Sequence, residues 1–276
     1  MIIKETYTIT GAKGRLMLAD LTFDKAHRNA PIIIFAHGFK GFKDWGTHNM
    51  VAEYFAARGY RFLKFNFSHN GTTPDQPIDF ADLIAFSENT FSIELEDLDR
   101  IIDFACNGTA IPPAKSVTLM GHSMGGGISI IKTAEDNRIN KLITLTAIAG
   151  FGDLWPKKDE AQWKIQGLRY VENKRTGQQM PLKATLLDDL ERNPGRLDII
   201  AKAAQITQPW LIAHGHDDAT VPVSQAKKLK AAQPEAKLLI IPAADHVFNA
   251  SHPYAAQTLP AALEELCEAI IDFLHK

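Results

Sequence analysis

A short apolar segment that ends in a turn recurs along this chain, and it limits the possible folds more than any other feature. It appears as Ile32–Ala36, RFLKFNF at 61–67, SVTLMG at 116–121, KLITLTAIAG at 141–150, PWLIAH at 209–214 and KLLIIPAADH at 237–246. Segments this short, closed by Gly, His or a polar loop, suit strands buried on both faces of a sheet. Stretches with helical periodicity lie between them. At 90–106, Leu95, Leu98, Ile101, Ile102 and Ala105 fall on one face, and Asn107-Gly108 ends the helix. Further helices are expected at 46–58, stopped by Gly59, at 124–136, and at about 260–275, where Leu263, Leu266, Ile270 and Leu274 face inward. Strands alternating with helices imply right-handed crossovers and a mostly parallel sheet covered on both faces. Upstream, residues 2–10 and 15–24, joined by GAKG, read as an antiparallel hairpin. The expected class is therefore α/β, with a central sheet of about eight strands flanked by helices.

Two intervals break the rhythm. Residues 68–87 are polar and read as a long loop, and 151–205 hold no clear buried strand but helix-like stretches at 159–171 and 182–191. The second interval is read as a small helical cap insertion. It divides the chain into a core domain, 1–150 with 206–276, and a cap, 151–205.

Composition narrows the partners. With 45% hydrophobic residues, the chain can bury a full core without a disulfide or metal staple. A net charge of -2 and the lack of any long run of like charges speak against nucleic acid or an anionic membrane as main partner. Cys106 and Cys267 are distant and form no CxxC, so they read as small buried hydrophobes of a reducing compartment. The alternating N-terminus lacks the pattern of a signal peptide, and no stretch of eighteen apolar residues occurs; the expected location is cytoplasmic. The expected partner is a small molecule, with a homodimer through the cap or an edge strand left open.

Residues 121–125, GHSMG, stand between the strand SVTLM and a helix. A serine at such a turn adopts a strained backbone, its neighbours two residues away must lack side chains, and the following helix N-terminus aims N–H groups at developing negative charge. Ser123 is the expected nucleophile. The segment AHGFKGFK at 36–43 follows an early strand, as the second oxyanion donor of such a site does, so the backbone N–H groups of Phe39 and Met124 are the expected donors. His37 reads as a structural residue holding this loop, and Lys40, Phe42, Lys43 and Trp45 as a loop rim.

A serine hydroxyl needs a base, and the base needs an acid to orient it. HGHDDATVP at 214–222 and PAADHVF at 242–248 each follow a strand, in the order nucleophile, acid, histidine. His246 is the expected base. Asp217 and Asp218 compete as the acid. Asp218, four residues beyond His214 and directly before Ala219–Pro222, is favoured, and Asp245 is a poorer candidate. Among the ten histidines, His252 is the reserve base, His214 and His216 read as structural, and His122 as packed beneath the turn. His69 and Trp155 are expected at the substrate pocket. Phe39, Phe42, Trp45, Trp163 and Tyr170 are further aromatic candidates for an acyl or aryl pocket.

HGFKG, GHSMGG, HGHDDATVP and ADHVF, in this order, resemble the α/β-hydrolase superfamily over residues 15–275. Within it the chain is similar to carboxylesterases of the cinnamoyl/feruloyl type and to the catalytic domain of prolyl-oligopeptidase-like (S9) enzymes. The resemblance implies an α/β-hydrolase fold, ester hydrolysis through an acyl-enzyme, no cofactor, and a cap shaping the pocket. It carries Ser123, Asp218 and His246 over as triad and Phe39 and Met124 as oxyanion donors. NKRTGQQMP, 173–181, resembles the inserted subdomain of those esterases. The chain departs at SHNGTT, 68–73, where many relatives carry Arg-Gly-x-Gly-x-Ser, and serine at 123 argues against the cysteine-using dienelactone hydrolases. A carboxylesterase acting on small or medium acyl esters, a peptidase or amidase with the same triad, and a catalytically silent binding module are the three readings.

Overall fold

A computed structural model describes residues 1–276. Its eight-stranded sheet contains β1 (Ile2–Thr10), β2 (Leu16–Asp24), β3 (Ile32–Ala36), β4 (Arg61–Phe65), β5 (Val117–His122), β6 (Ile139–Leu145), β9 (Trp210–Gly215) and β10 (Lys237–Ile241), in the spatial order β1-β2-β4-β3-β5-β6-β9-β10. β1 pairs antiparallel with β2, and β2 with β4; from β4 to β10 every pairing is parallel. Helices α1 (His48–Ala56), α3 (Phe91–Cys106), α4 (Met124–Glu135), α8 (Ser224–Ala232) and α9 (Ala261–Leu274) cover the two faces.

The side-chain alternation of the strands sorts the core. Ile32 and Ile34 join the cluster under α3, α4 and α8, whereas Ile33 and Phe35 join the cluster under α1 and α9. The second face is the thinner one. On it, Val51 and Phe55 of α1 and Leu266, Cys267 and Ile270 of α9 pack against Phe62, Met120 and Leu145 of the sheet.

The interval expected as a helical cap contains a β-hairpin. Within it, α5 (Glu160–Gln166) stops at Gly167, whose φ of +70° ends the helix. β7 (Leu168–Asn173) and β8 (Gln178–Lys183) then pair antiparallel, and α6 (Thr185–Arg192) follows. The helix expected over 159–171 is thus cut short, because residues 168–173 find backbone partners across the hairpin. Helix α7 (Ile199–Ala203) packs on α4 and α8, with the sheet-flanking helices. The cap is tied down along its edge. Lys40 Nζ donates to Glu172 O at 2.9 Å, Gln178 Nε2 to Phe80 O at 3.0 Å, and Ser92 N and Oγ donate to the Asp189 carboxylate at 2.9 and 2.6 Å. The loop expected over 68–87 includes the short helix α2 (Leu83–Glu88), capped by Asp82 accepting from Ala85 N. No helix is long and apolar enough to cross a membrane.

Candidate active site

β5 ends at His122, α4 starts at Met124, and Ser123 between them has φ 56° and ψ −120°. A non-glycine residue in that region is strained and persists only when its surroundings fix it. They do so here. Ser123 N donates to Leu145 O at 2.9 Å, and Ser123 O accepts from Gly126 N and Gly127 N at 3.0 and 3.3 Å. The glycines on either side are steric necessities. A Cβ on Gly121 would lie 2.3 Å from Gly125 O, and one on Gly125 would lie 2.3 Å from His37 O.

At the ends of β9 and β10, the Asp218 carboxylate gathers four donors. Oδ1 accepts from Thr220 N and Val221 N, both at 2.8 Å. Oδ2 meets His246 Nδ1 at 2.7 Å and lies 3.3 Å from His214 Nε2, which makes its shorter bond to Val221 O at 2.8 Å. Burial opposes ionisation of this side chain. The hydrogen bonds from His214 and His246, then the His246 charge and the Val221 N–H, outweigh it and hold the pKa well below the usual carboxylate range. Asp217 instead stands exposed and pairs with exposed His216 at 2.7 Å. The backbone at His246 is fixed as well, since His246 O accepts from His122 Nε2 at 2.9 Å and from Thr146 Oγ1 at 3.1 Å. Burial pushes His122 down to about 3, so its ring stays a neutral donor. Sequence reasoning left out the support from Thr146; the signal available was its place at the end of β6, on the carboxyl edge of the sheet where ligands bind.

Phe39 follows β3, and its N–H has no acceptor within the protein. Met124 is the first residue of α4, so its N–H is one of those a helix leaves without an intrahelical partner. The loop between them and the sheet is held rigidly. His37 is buried, Nδ1 donates to Gly38 O at 2.9 Å, and Nε2 faces Phe67 N and Asn70 Nδ2 at 3.4 Å each. Phe42 and Lys43, expected on a rim, are buried. Lys43 Nζ reaches Asp20 Oδ2 at 2.6 Å, and Lys64 Nζ reaches the same oxygen at 2.9 Å; both lysines also pair with Asp44. Burial raises the Asp44 pKa, but Lys64 and Lys43 more than offset this and hold it at about 2. This four-charge knot ties the loop after β3 to β2 and β4.

Two cavities flank the serine. The larger, about 190 Å³, has Ser123, His246, Gly38 and Phe39 in its wall and extends between α1 and α9. The smaller, about 30 Å³, lies under the cap against Phe39, Met124, Trp155 and Trp163. Trp45 lines the first, while Phe42 and Tyr170 line neither. His69 is not brought to either cavity. The loop after β4 turns inward, where Ser68 N donates to buried Asp97 at 2.8 Å, and the His69 ring packs against Ser68 Oγ at 2.7 Å. His252 is likewise removed from the serine, with Nδ1 accepting from Gly46 N at 2.8 Å. No hydrogen bond joins Ser123 Oγ to His246 here; the two share one cavity wall, and such bonds often tighten only with substrate bound.

A profile of the alpha/beta hydrolase family matches residues 33–257. The chain is 30% identical over 139 residues to the quorum-quenching protein AidA of Acinetobacter baumannii, covering 50% of this chain and 42% of that protein. It is 28% identical over 123 residues to a Mycoplasma pneumoniae protein named as an esterase/lipase, covering 45% of this chain and 40% of that protein. The chain therefore spans less than half the length of these curated relatives. Among solved structures, Est1E from Butyrivibrio proteoclasticus matches with a TM-score of 0.71 at 19% identity, over 98% of this chain and 99% of that one. At that identity the likeness is one of fold.

Proposed function

The chain belongs to the alpha/beta hydrolase family, and from that premise we propose that it is a serine carboxylesterase acting on small or medium acyl esters, with Ser123 as nucleophile, His246 as base and Asp218 as the orienting acid. One observation carries the reading: strained Ser123 shares a cavity with a histidine whose Nδ1 is held 2.7 Å from a buried carboxylate. With the proton on Nδ1 donated to Asp218, Nε2 is left with its lone pair free to accept the serine proton. The Ser123 oxygen then attacks the ester carbon. The carbonyl oxygen, now negative, accepts hydrogen bonds from the N–H groups of Phe39 and Met124, each worth roughly 100- to 1000-fold in rate in comparable sites. His246 gives its proton to the leaving alkoxide, and the alcohol departs. Water, deprotonated by the same nitrogen, attacks the acyl carbon; the bond to Ser123 breaks, the proton passes from His246 to the serine oxygen, and the acid is released.

The test compares p-nitrophenyl acetate with its anilide counterpart, p-nitroacetanilide, in the native protein and in Ser123→Ala. Ester turnover that vanishes in the variant, with the anilide untouched, supports the reading. Comparable cleavage of the anilide would turn it into an amidase. Turnover that survives in Ser123→Ala would remove the serine mechanism.

A further inference from the structure

The larger cavity has a mostly apolar lining, and no residue of the cap lines it. Away from its mouth it is walled by Val51 and Phe55 of α1, Leu266, Cys267 and Ile270 of α9, and Met120 of β5. Fourteen of its 23 lining residues are hydrophobic, so any occupant is met mostly by carbon. A buried water needs two to four polar partners. Nδ1 of His48 is the one buried side-chain nitrogen or oxygen in this wall that lacks a partner. The volume, about 190 Å³, exceeds the roughly 150 Å³ of an apolar cavity that stays dry and takes up benzene. By contrast, the space under the cap is about 30 Å³, far below the roughly 150 Å³ that takes up benzene.

We propose that the cavity between α1 and α9 is the specificity pocket of the enzyme, and that it takes an apolar arm of about six to eight carbons from the ester. This rests on the reading of Ser123 as nucleophile. The ester bond would then lie across the carboxyl edge of the sheet. Its apolar arm would pass Gly38 and His246 onto the α1/α9 face, away from the cap. Because the arm meets side chains from both helices, the width of the pocket is set by Val51 on one side and Cys267 on the other. Both are buried.

The experiment fills the pocket from opposite walls with Val51→Phe and Cys267→Phe, so one misfolded variant does not end the test. Two ester series are measured: p-nitrophenyl esters from acetate to dodecanoate, and acetates of alcohols from methyl to octyl. In the native protein, kcat/KM should rise with length to about six to eight carbons in one series. In each variant the ratio of the six-carbon to the shortest member should fall about ten-fold or more, as a misfit of one or two methylenes does in a hydrophobic pocket. The responding series identifies whether the arm is acyl or alcohol. A length profile unchanged in both series by both folded variants overturns the proposal and leaves the serine mechanism standing. An arm independent of turnover uses p-xylene and thermal melting. It should raise the Tm of Ser123→Ala but not of Ser123→Ala/Val51→Phe; equal shifts, or none, count against the pocket. A p-xylene shift without hydrolysis of any ester would keep the cavity's binding role and reject the mechanism.

Discussion

Replacing Asp218 by Asn changes one atom, and the surrounding hydrogen bonds dictate where that atom goes. Oδ1 accepts two backbone N–H groups, from Thr220 and Val221 at 2.8 Å each, so the amide oxygen of an asparagine must occupy that position. Its NH₂ then replaces Oδ2 and points a donor at His246 Nδ1, 2.7 Å away. Two donors cannot face each other, so the imidazole proton moves to Nε2. In that tautomer His246 cannot accept the Ser123 proton. The same change in another serine hydrolase costs about 10⁴ in kcat, which corresponds to about 5.4 kcal/mol of transition-state stabilisation. Shape is preserved, but the charge whose pKa the surrounding donors hold down is lost, so Tm should fall and rates are compared well below the variant's Tm. Asp217→Asn touches only the exposed pair with His216 and should change kcat by less than about three-fold, as exposed ion pairs contribute little. Initial rates on p-nitrophenyl acetate, with melting curves as control, decide the matter. Retention of more than a tenth of native kcat in Asp218→Asn, or an equal loss in Asp217→Asn, would refute the tautomer argument.

Three further outcomes are expected. Ser123→Ala should leave Tm unchanged or raise it if the strained serine serves the proposed function and not stability; a clear fall in Tm would make the serine a structural residue. Lys64→Met strips one cation from a buried group of four charges and should destabilise by about 3–5 kcal/mol, read from urea midpoints; a loss under about 1 kcal/mol would show that Lys43 alone satisfies both aspartates. Burial raises Glu94 from 4.5 to about 8 and Asp97 from 3.8 to about 6, so the folded state holds protons the unfolded chain has lost. Their stabilising contribution is complete below the unfolded values and drains as pH rises toward about 6 and then about 8. Glu94→Gln should flatten the decline between about pH 5 and about pH 8 in urea midpoints, and an unaltered slope would remove Glu94 as its source.

The parts of the fold set by local pattern were readable in advance. The buried strands announce themselves because a strand covered on both faces must be apolar throughout, as Ile32–Ala36 is. The turn at Ser123 is legible because only glycine fits at 121 and 125. The two-stranded hairpin of the cap was missed. β7 carries Arg169, Glu172 and Asn173 and β8 carries Gln178, Gln179 and Lys183, so neither shows a buried run, and their strand character comes from pairing with each other. Gly167 was the available sign that α5 ends there. Lys43, expected on a rim, is interior for a similar reason: Asp20 of β2 and Lys64 of β4, distant in sequence, arrive beside it and its neighbour Asp44. Asp218 could be favoured over Asp217 by its place in the loop, but the four donors that separate them depend on how β9 and β10 are set together. The cavity between α1 and α9 is written in no local pattern, since its wall is assembled from elements spread from β3 to α9.

The decisive measurement is labelling of the folded protein with a fluorophosphonate, mapping the adduct by peptide mass spectrometry, and running Ser123→Ala beside it. An activated serine predicts one adduct, on the peptide containing Ser123, and none in the variant. A folded native protein that takes no label, or takes it on another residue, would contradict the assignment of Ser123 as the nucleophile.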